Sequence, residues 1–289
     1  MIAFVLSVAA IAALLYARWK SRYRHPPDDV PRVLCYHKFS DRFCFEGTWI
    51  PRRRFVDQVD FLIRRGYRFI DEAEYFQSLL HRKDENARKI LLTFDDGYAE
   101  LRDVYVEDLV PRGVPILVFL VAGYAGRENT WDLSLGRRKF SHLTWDQVRE
   151  MASLGASFGS HGLSHADLTR LDPEAVRREV GESRKIIGEQ TGGDIRSFSY
   201  PFGRYDAVSK AAVEAAGFTA GFSLYPRHPN EYVDWFSIRR NAVYIIDTVM
   251  SLGWKLERSP FSWFEEMKCR TINALAALTP VLKKISPDR

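Results

Sequence analysis

Short apolar runs alternate with amphipathic stretches along most of this chain, and that alternation constrains its fold more than any other feature. Lys89-Ile90-Leu91-Leu92-Thr93-Phe94 has charge before it and Asp95-Asp96-Gly97 after it, and reads as a buried strand. Val33–Tyr36, Val114–Val121, Phe198–Tyr200 and Phe218–Ser223 read the same way. Helices are expected between them. Phe55, Val56, Val59, Leu62 and Ile63 form one apolar stripe, with Gly66 as a stop. Thr144-Trp145-Asp146-Gln147 is a capping box opening a helix through Leu154, ended by Gly155. Asp172-Pro173 caps and starts another, in which Val176, Val180, Ile186 and Ile187 keep helical spacing. Ala207–Ala216 is a further helix, ended by Gly217. Repeated strand–helix units imply an α/β parallel sheet or barrel. About 225 residues suffice for one such domain. The expected division is 31–255 as that domain, 1–25 as an N-terminal segment and 256–289 as a tail.

Asp95 and Asp96 fall at the C-terminal end of a predicted strand, the end that carries active sites in parallel α/β architectures. Sixty-six residues separate Asp95 from His161, and Ser160-His161-Gly162-Leu163-Ser164-His165 offers two imidazoles spaced i, i+4. On a helical turn that spacing puts both rings on one face, within reach of one ion. One carboxylate and two histidines make three ligands and leave a coordination position open for water or substrate. The other carboxylate is then free to act as a base on water.

These segments, with Phe198-Ser199-Tyr200-Pro201-Phe202-Gly203, resemble the three ordered motifs of the polysaccharide deacetylase family, also called NodB-homology domains or carbohydrate esterase family 4. The resemblance runs from about Arg32 to Val243. It implies a distorted (β/α) barrel with fewer than eight strands, and metal-dependent hydrolysis of N-acyl groups from amino sugars. By position it implies Asp95 as general base and Asp96, His161 and His165 as ligands of a divalent metal, most often zinc. It also implies the Phe202 N–H as oxyanion donor. Two features depart from the pattern. The arginine that orients the base in many members is Ser199 here, and the late L-x-H motif that supplies the acid is absent. Leu34-Cys35-Tyr36-His37 resembles the poly-N-acetylglucosamine deacetylase branch, which has a Tyr-His pair near its start. That makes His37 a candidate general acid, against the plainer reading of a strand-end histidine. Arg240 is a candidate for the missing arginine; Arg239 and Arg240 as surface charges is the other reading.

Residues 1–17 carry no charged side chain, and Arg18, Lys20, Arg22 and Arg24 follow. A helix of about 17 residues spans roughly 25 Å, the short end of what crosses a bilayer. Positive charge after the apolar stretch, rather than before it, favours an uncleaved single-pass anchor over a signal peptide. The same charge places the domain on the cytoplasmic side. The odd cysteine count (Cys35, Cys44, Cys269) argues against a disulfide framework. Phe261, Trp263, Phe264 and Met267 begin a tail that reads either as an interfacial amphipathic helix or as a helix packed on the barrel. A net charge of +5 suits an anionic surface, and no nucleic-acid motif appears. The expected partners are therefore a membrane and an amino-sugar glycan, polymeric or lipid-linked. The expected function is N-deacetylation. O-acetyl ester hydrolysis on the same fold, or glycan binding without turnover, are the rivals.

Overall fold

The computed structural model describes residues 29–41, 47–130, 140–224, 234–257 and 261–276, together with 17, 27 and 259. In chain order its strands are β1 (Arg32–Tyr36), β2 (Lys38–Phe39), β3 (Trp49–Ile50), β4 (Arg68–Ile70), β5 (Lys89–Phe94) and β6 (Leu117–Leu120). They continue with β7 (Ser157–Ser160), β8 (Ser197–Ser199), β9 (Ala220–Ser223), β10 (Ile238–Arg239) and β11 (Asn241–Ala242). The main helices are α1 (Arg52–Arg64), α2 (Glu72–Leu80), α3 (Trp145–Ser153), α4 (Pro173–Thr191), α5 (Ala207–Ala215), α6 (Val249–Leu256) and α7 (Ser262–Ala276). The expected caps form: Thr144 and Gln147 close a capping box on α3, and Asp172 accepts from Glu174 N and Ala175 N at the start of α4.

The sheet runs β10-β9-β8-β7-β6-β5-β1-β11 with every pairing parallel, and β4 lies beside the first half of β5. Among the described residues this is nine strands rather than fewer than eight. The difference lies in β4, β10 and β11, which are three, two and two residues long and too short to show a periodicity. The two ends of the row, β10 and β11, are separated in the chain by Arg240 alone. A single residue therefore joins the edges, and the sheet curls into a nearly closed barrel. Arg240 N donates to Ser223 O (3.0 Å) on one side of the seam, and Val243 N to Cys35 O (2.9 Å) on the other.

Parity along the strands decides which side chains reach the interior. Leu34, Leu92, Val118 and Phe198 pack outward into a cluster with the helices. Val33, Leu91, Leu117, Phe119, Ala220 and Phe222 pack together as a second cluster inside. Both faces are covered, so β5 and β6 read as near-continuous apolar runs rather than alternating. Gly159 keeps the inward parity of β7, and a Cβ there would lie 2.7 Å from the Phe119 ring. The same parity points Cys35 and Ser199 inward and, carried one residue past β5 and β7, Asp95 and His161 as well.

The expected anchor over 1–25 lies, but for residue 17, outside the described residues. So does Cys44. Among the described residues no helix is long and apolar enough to cross a membrane. α7 packs on the barrel: Cys269 joins Cys35, Ala242 and Tyr244 in one cluster, while Phe261, Phe264 and Met267 stay exposed.

Candidate active site

Asp95 follows β5 directly, and its N–H donates to Tyr36 O (3.0 Å), extending the pairing with β1 by one residue. The chain then turns through two left-handed residues, Asp96 (φ 69°) and Gly97 (φ 65°). A Cβ at Gly97 would meet Leu120 Cδ2 at 2.6 Å, so only glycine fits this turn. Segment 142–143 holds it: His142 Nδ1–H donates to Asp96 O (2.8 Å) and Leu143 N to Gly97 O (2.8 Å). The turn separates the two carboxylates. Asp95 faces Arg240, and Asp96 faces the histidines.

Arg240 is fully buried and grips Asp95 with both prongs, Nη1 to Oδ1 at 2.6 Å and Nη2 to Oδ2 at 2.7 Å. Nη2 also donates to Ser199 Oγ (2.8 Å), and the Ser199 hydroxyl lies 3.4 Å from Asp95 Oδ2. The small side chain at 199 thus leaves room for a guanidinium arriving from the seam. Burial opposes charge on Asp95, yet the Arg240 guanidinium holds its carboxyl well below the usual carboxylate range. Arg239 is the half-buried neighbour in β10.

The H-x3-H segment is not a helical turn. It is a loop after β7, with Gly162 at φ 84° and His165 at φ 60°. Glycine at 162 and the pairing of β7 into the sheet defeat helix formation here. The reversal still brings the two rings together, with centroids 4.9 Å apart. Glu179 on α4 holds the loop, accepting from Leu163 N (2.9 Å), Ser164 N (2.9 Å) and Ser164 Oγ (2.6 Å). A left-handed non-glycine residue costs about 1–3 kcal/mol, and these bonds offset it. Glu179 was not among the expected site residues, although a carboxylate on the Val176–Val180 stripe of α4 is a legible signal. Glu179→Ala is therefore expected to weaken metal binding by about 10–100-fold, the usual effect of losing an outer support. Competition against a chromogenic chelator reads this directly, and Glu179→Gln, which keeps one acceptor oxygen, falls between.

One donor atom each from Asp96, His161 and His165 lies within 4.8 Å of the others, with Asp96 Oδ1 3.7 Å from His161 Nε2 and 3.4 Å from His165 Nε2. Tetrahedral ligands at about 2.1 Å from zinc sit roughly 3.4 Å apart, so the set fits one ion. His161 Nδ1 lies 2.7 Å from Ser199 O; a carbonyl only accepts, so Nδ1 carries the proton and Nε2 presents its lone pair. Burial lowers the pKa of His161 and pushes that of His165 well down. Both rings therefore stay neutral, as ligands must. Asp167, although close in sequence to His165, is engaged by Thr169 and Arg204.

His37 sits half-buried just past β1, and a ring nitrogen lies within 4.8 Å of the Asp95 carboxylate. Burial lowers its pKa from 6.5 to about 4, against the opposing pull of Asp95. Phe202 follows β8 in a turn at φ 59°, with its ring 4.7 Å from that of His165. One rim thus gathers Asp95, Asp96, His161, His165, His37, Phe202 and Arg240. The histidine shifts have a consequence for stability. Each ring is neutral in the fold and protonates near 6.5 in the unfolded chain. The unfolded state then binds more protons as pH falls, so metal-free protein is expected to lose stability from about pH 6.5 downward. Urea midpoints between about pH 8 and pH 4 test this. A flat profile would mean the rings are charged in the fold.

Residues 82–221 match the polysaccharide deacetylase family. That segment holds Asp95, Asp96, His161, His165 and Phe202, and excludes His37 and Arg240. The chain is 28% identical over 195 residues to Bacillus subtilis YxkH, which bears the polysaccharide deacetylase name, covering 67% of this chain and 64% of that protein. It is 20% identical over 186 residues to a Staphylococcus aureus poly-β-1,6-N-acetyl-D-glucosamine N-deacetylase, covering 61% of each. The chain thus spans less than two thirds of the length of these relatives. Streptococcus pyogenes deacetylase PplD superposes with TM-score 0.68 at 19% identity, over 79% of this chain and 98% of that one. IcaB from Ammonifex degensii superposes with TM-score 0.62 at 24% identity, over 86% and 97%. Both establish the fold.

Proposed function

Since this chain carries a polysaccharide deacetylase domain, we propose that it is a metal-dependent hydrolase that removes N-acetyl groups from a polymer of N-acetylglucosamine. The observation that carries the reading is the pairing of Asp95 with buried Arg240 beside the Asp96–His161–His165 donor set. The Staphylococcus aureus relative, named for β-1,6-linked poly-N-acetylglucosamine, supports the choice of polymer. Asp96, His161 and His165 would hold a divalent ion, with zinc the best fit to this donor set; when bound, it supplies Lewis acidity to water and to the acyl carbonyl. Asp95 takes the proton of the attacking water, and Arg240 fixes the direction of its lone pairs. The Phe202 N–H faces the developing oxyanion, a contact of the kind that contributes roughly 3 kcal/mol. The leaving amine departs only if protonated. His37 rests neutral at pH 7, so the proton it delivers is the one Asp95 has just removed. An N-terminal tether with the domain on the cytoplasmic side, supported by the uncharged run before Arg18, belongs to the same proposal.

The test is acetate release from N-acetylglucosamine oligomers, measured alongside metal content. Near-stoichiometric metal with acetate release, both lost in His165→Ala, supports the reading. Release from O-acetylated sugars alone would replace it with an esterase, and bound metal without release from any acetylated glycan would replace it with a binding module.

A further inference from the structure

We propose that Cys35, His37 and Asp95 form a second cation site, which takes a soft divalent ion such as cadmium or excess zinc and stops turnover when filled. Cys35 and His37 are i, i+2 and share the inward parity of β1, while Asp95 is the inward residue that follows β5 beside it. One donor atom from each residue lies within 4.8 Å of the others, and Cys35 Sγ is 3.5 Å from Asp95 Oδ2. His37 Nδ1 is buried without a hydrogen-bond partner. A thiol, an imidazole and a carboxylate are the donor types of zinc sites, and the sulfur biases the set toward softer ions.

Binding is balanced simply. The Cys35 thiol gives its proton to solvent, its sulfur lone pair binds the ion, and His37 and Asp95 each add one donor atom. Asp95 keeps Arg240, because a carboxylate offers about four lone-pair sites and the guanidinium uses only two. Arg240 repels the incoming cation, whereas Asp95, Asp96 and the new thiolate attract it. An ion here engages the base and the acid together without touching Asp96, His161 or His165. The binding stands on its own geometry; the inhibition rests on the function proposed above.

The experiment starts from protein loaded with one equivalent of zinc. Cadmium is added while thiolate-to-cadmium charge-transfer absorption, bound metal per chain and acetate release are followed. One further equivalent is expected, with the absorption band, and turnover falls at least about 100-fold at saturation because acid–base assistance is lost. Cys35→Ser, which keeps a hydroxyl donor toward Asp95, should show neither band nor inhibition, while Cys44→Ser and Cys269→Ser behave as wild type. His37→Gln, a second variant with the thiol intact, should move the cadmium titration at least about tenfold higher. A band that survives Cys35→Ser, or is lost in either other cysteine variant, overturns the assignment. So does cadmium inhibition with no band. If the protein releases acetate from no substrate, band and stoichiometry still decide the site, so its failure is separate from failure of the proposed function.

Discussion

Asp95→Asn is expected to lower acetate release by about 10²–10⁴-fold, the usual contribution of a positioned base. Asparagine has nearly the same shape and still accepts from one prong of Arg240, but it cannot take a proton from water. The Asp96–His161–His165 set does not include this residue, so metal content should stay near wild type. Elemental analysis beside a kinetic assay separates the two effects. Loss of metal together with activity would assign Asp95 to the ligand set, and undiminished activity would remove it from the mechanism.

Arg240→Met is expected to be the most destabilising single change at the site. It strands the Asp95 carboxylate in the barrel without its cation, and breaking a buried pair from one side costs about 3–5 kcal/mol. For a domain of this size that lowers Tm by roughly 6–20 °C. Activity falls as well, because burial then dominates and pushes the carboxyl toward its neutral form. The distinguishing outcome lies in the double variant. Asp95→Asn with Arg240→Met removes both charges and should be more stable than Arg240→Met alone, since no uncompensated ion remains. If the double variant is the less stable, Arg240 acts mainly as a packed seam residue, and the ion pair is incidental to the fold.

Much of the rim was legible because it obeys local rules. The apolar run Lys89–Phe94 ends at a carboxylate pair, and strand ends are where parallel α/β folds expose chemistry. Asp95, Asp96, His161 and His165 could be singled out before any coordinates. The conformation that unites the histidines could not. Their i, i+4 spacing matches a helix, whereas the chain uses Gly162 and a left-handed His165, held by Glu179 from a helix beginning eight residues later. Spacing reports which residues can meet, and long-range hydrogen bonds decide how. Arg240 shows the same limit more sharply. Beside Arg239 it reads equally well as surface charge, since two-residue strands leave no periodic trace.

By itself the sequence determined the alternating architecture, the helix caps at Thr144 and Asp172, and the identity of the carboxylates and imidazoles at the rim. Each of these depends on residues within a few positions, where backbone geometry and hydrophobic period act directly. Only the tertiary structure decided that β10 and β11 occupy opposite ends of one sheet and that Arg240 closes it. The same closure brings Cys35 and His37 from β1 against Asp95. The physical reason is that a buried cation is tolerated only where a distant carboxylate meets it, and that meeting exists only after the sheet has curled into a barrel.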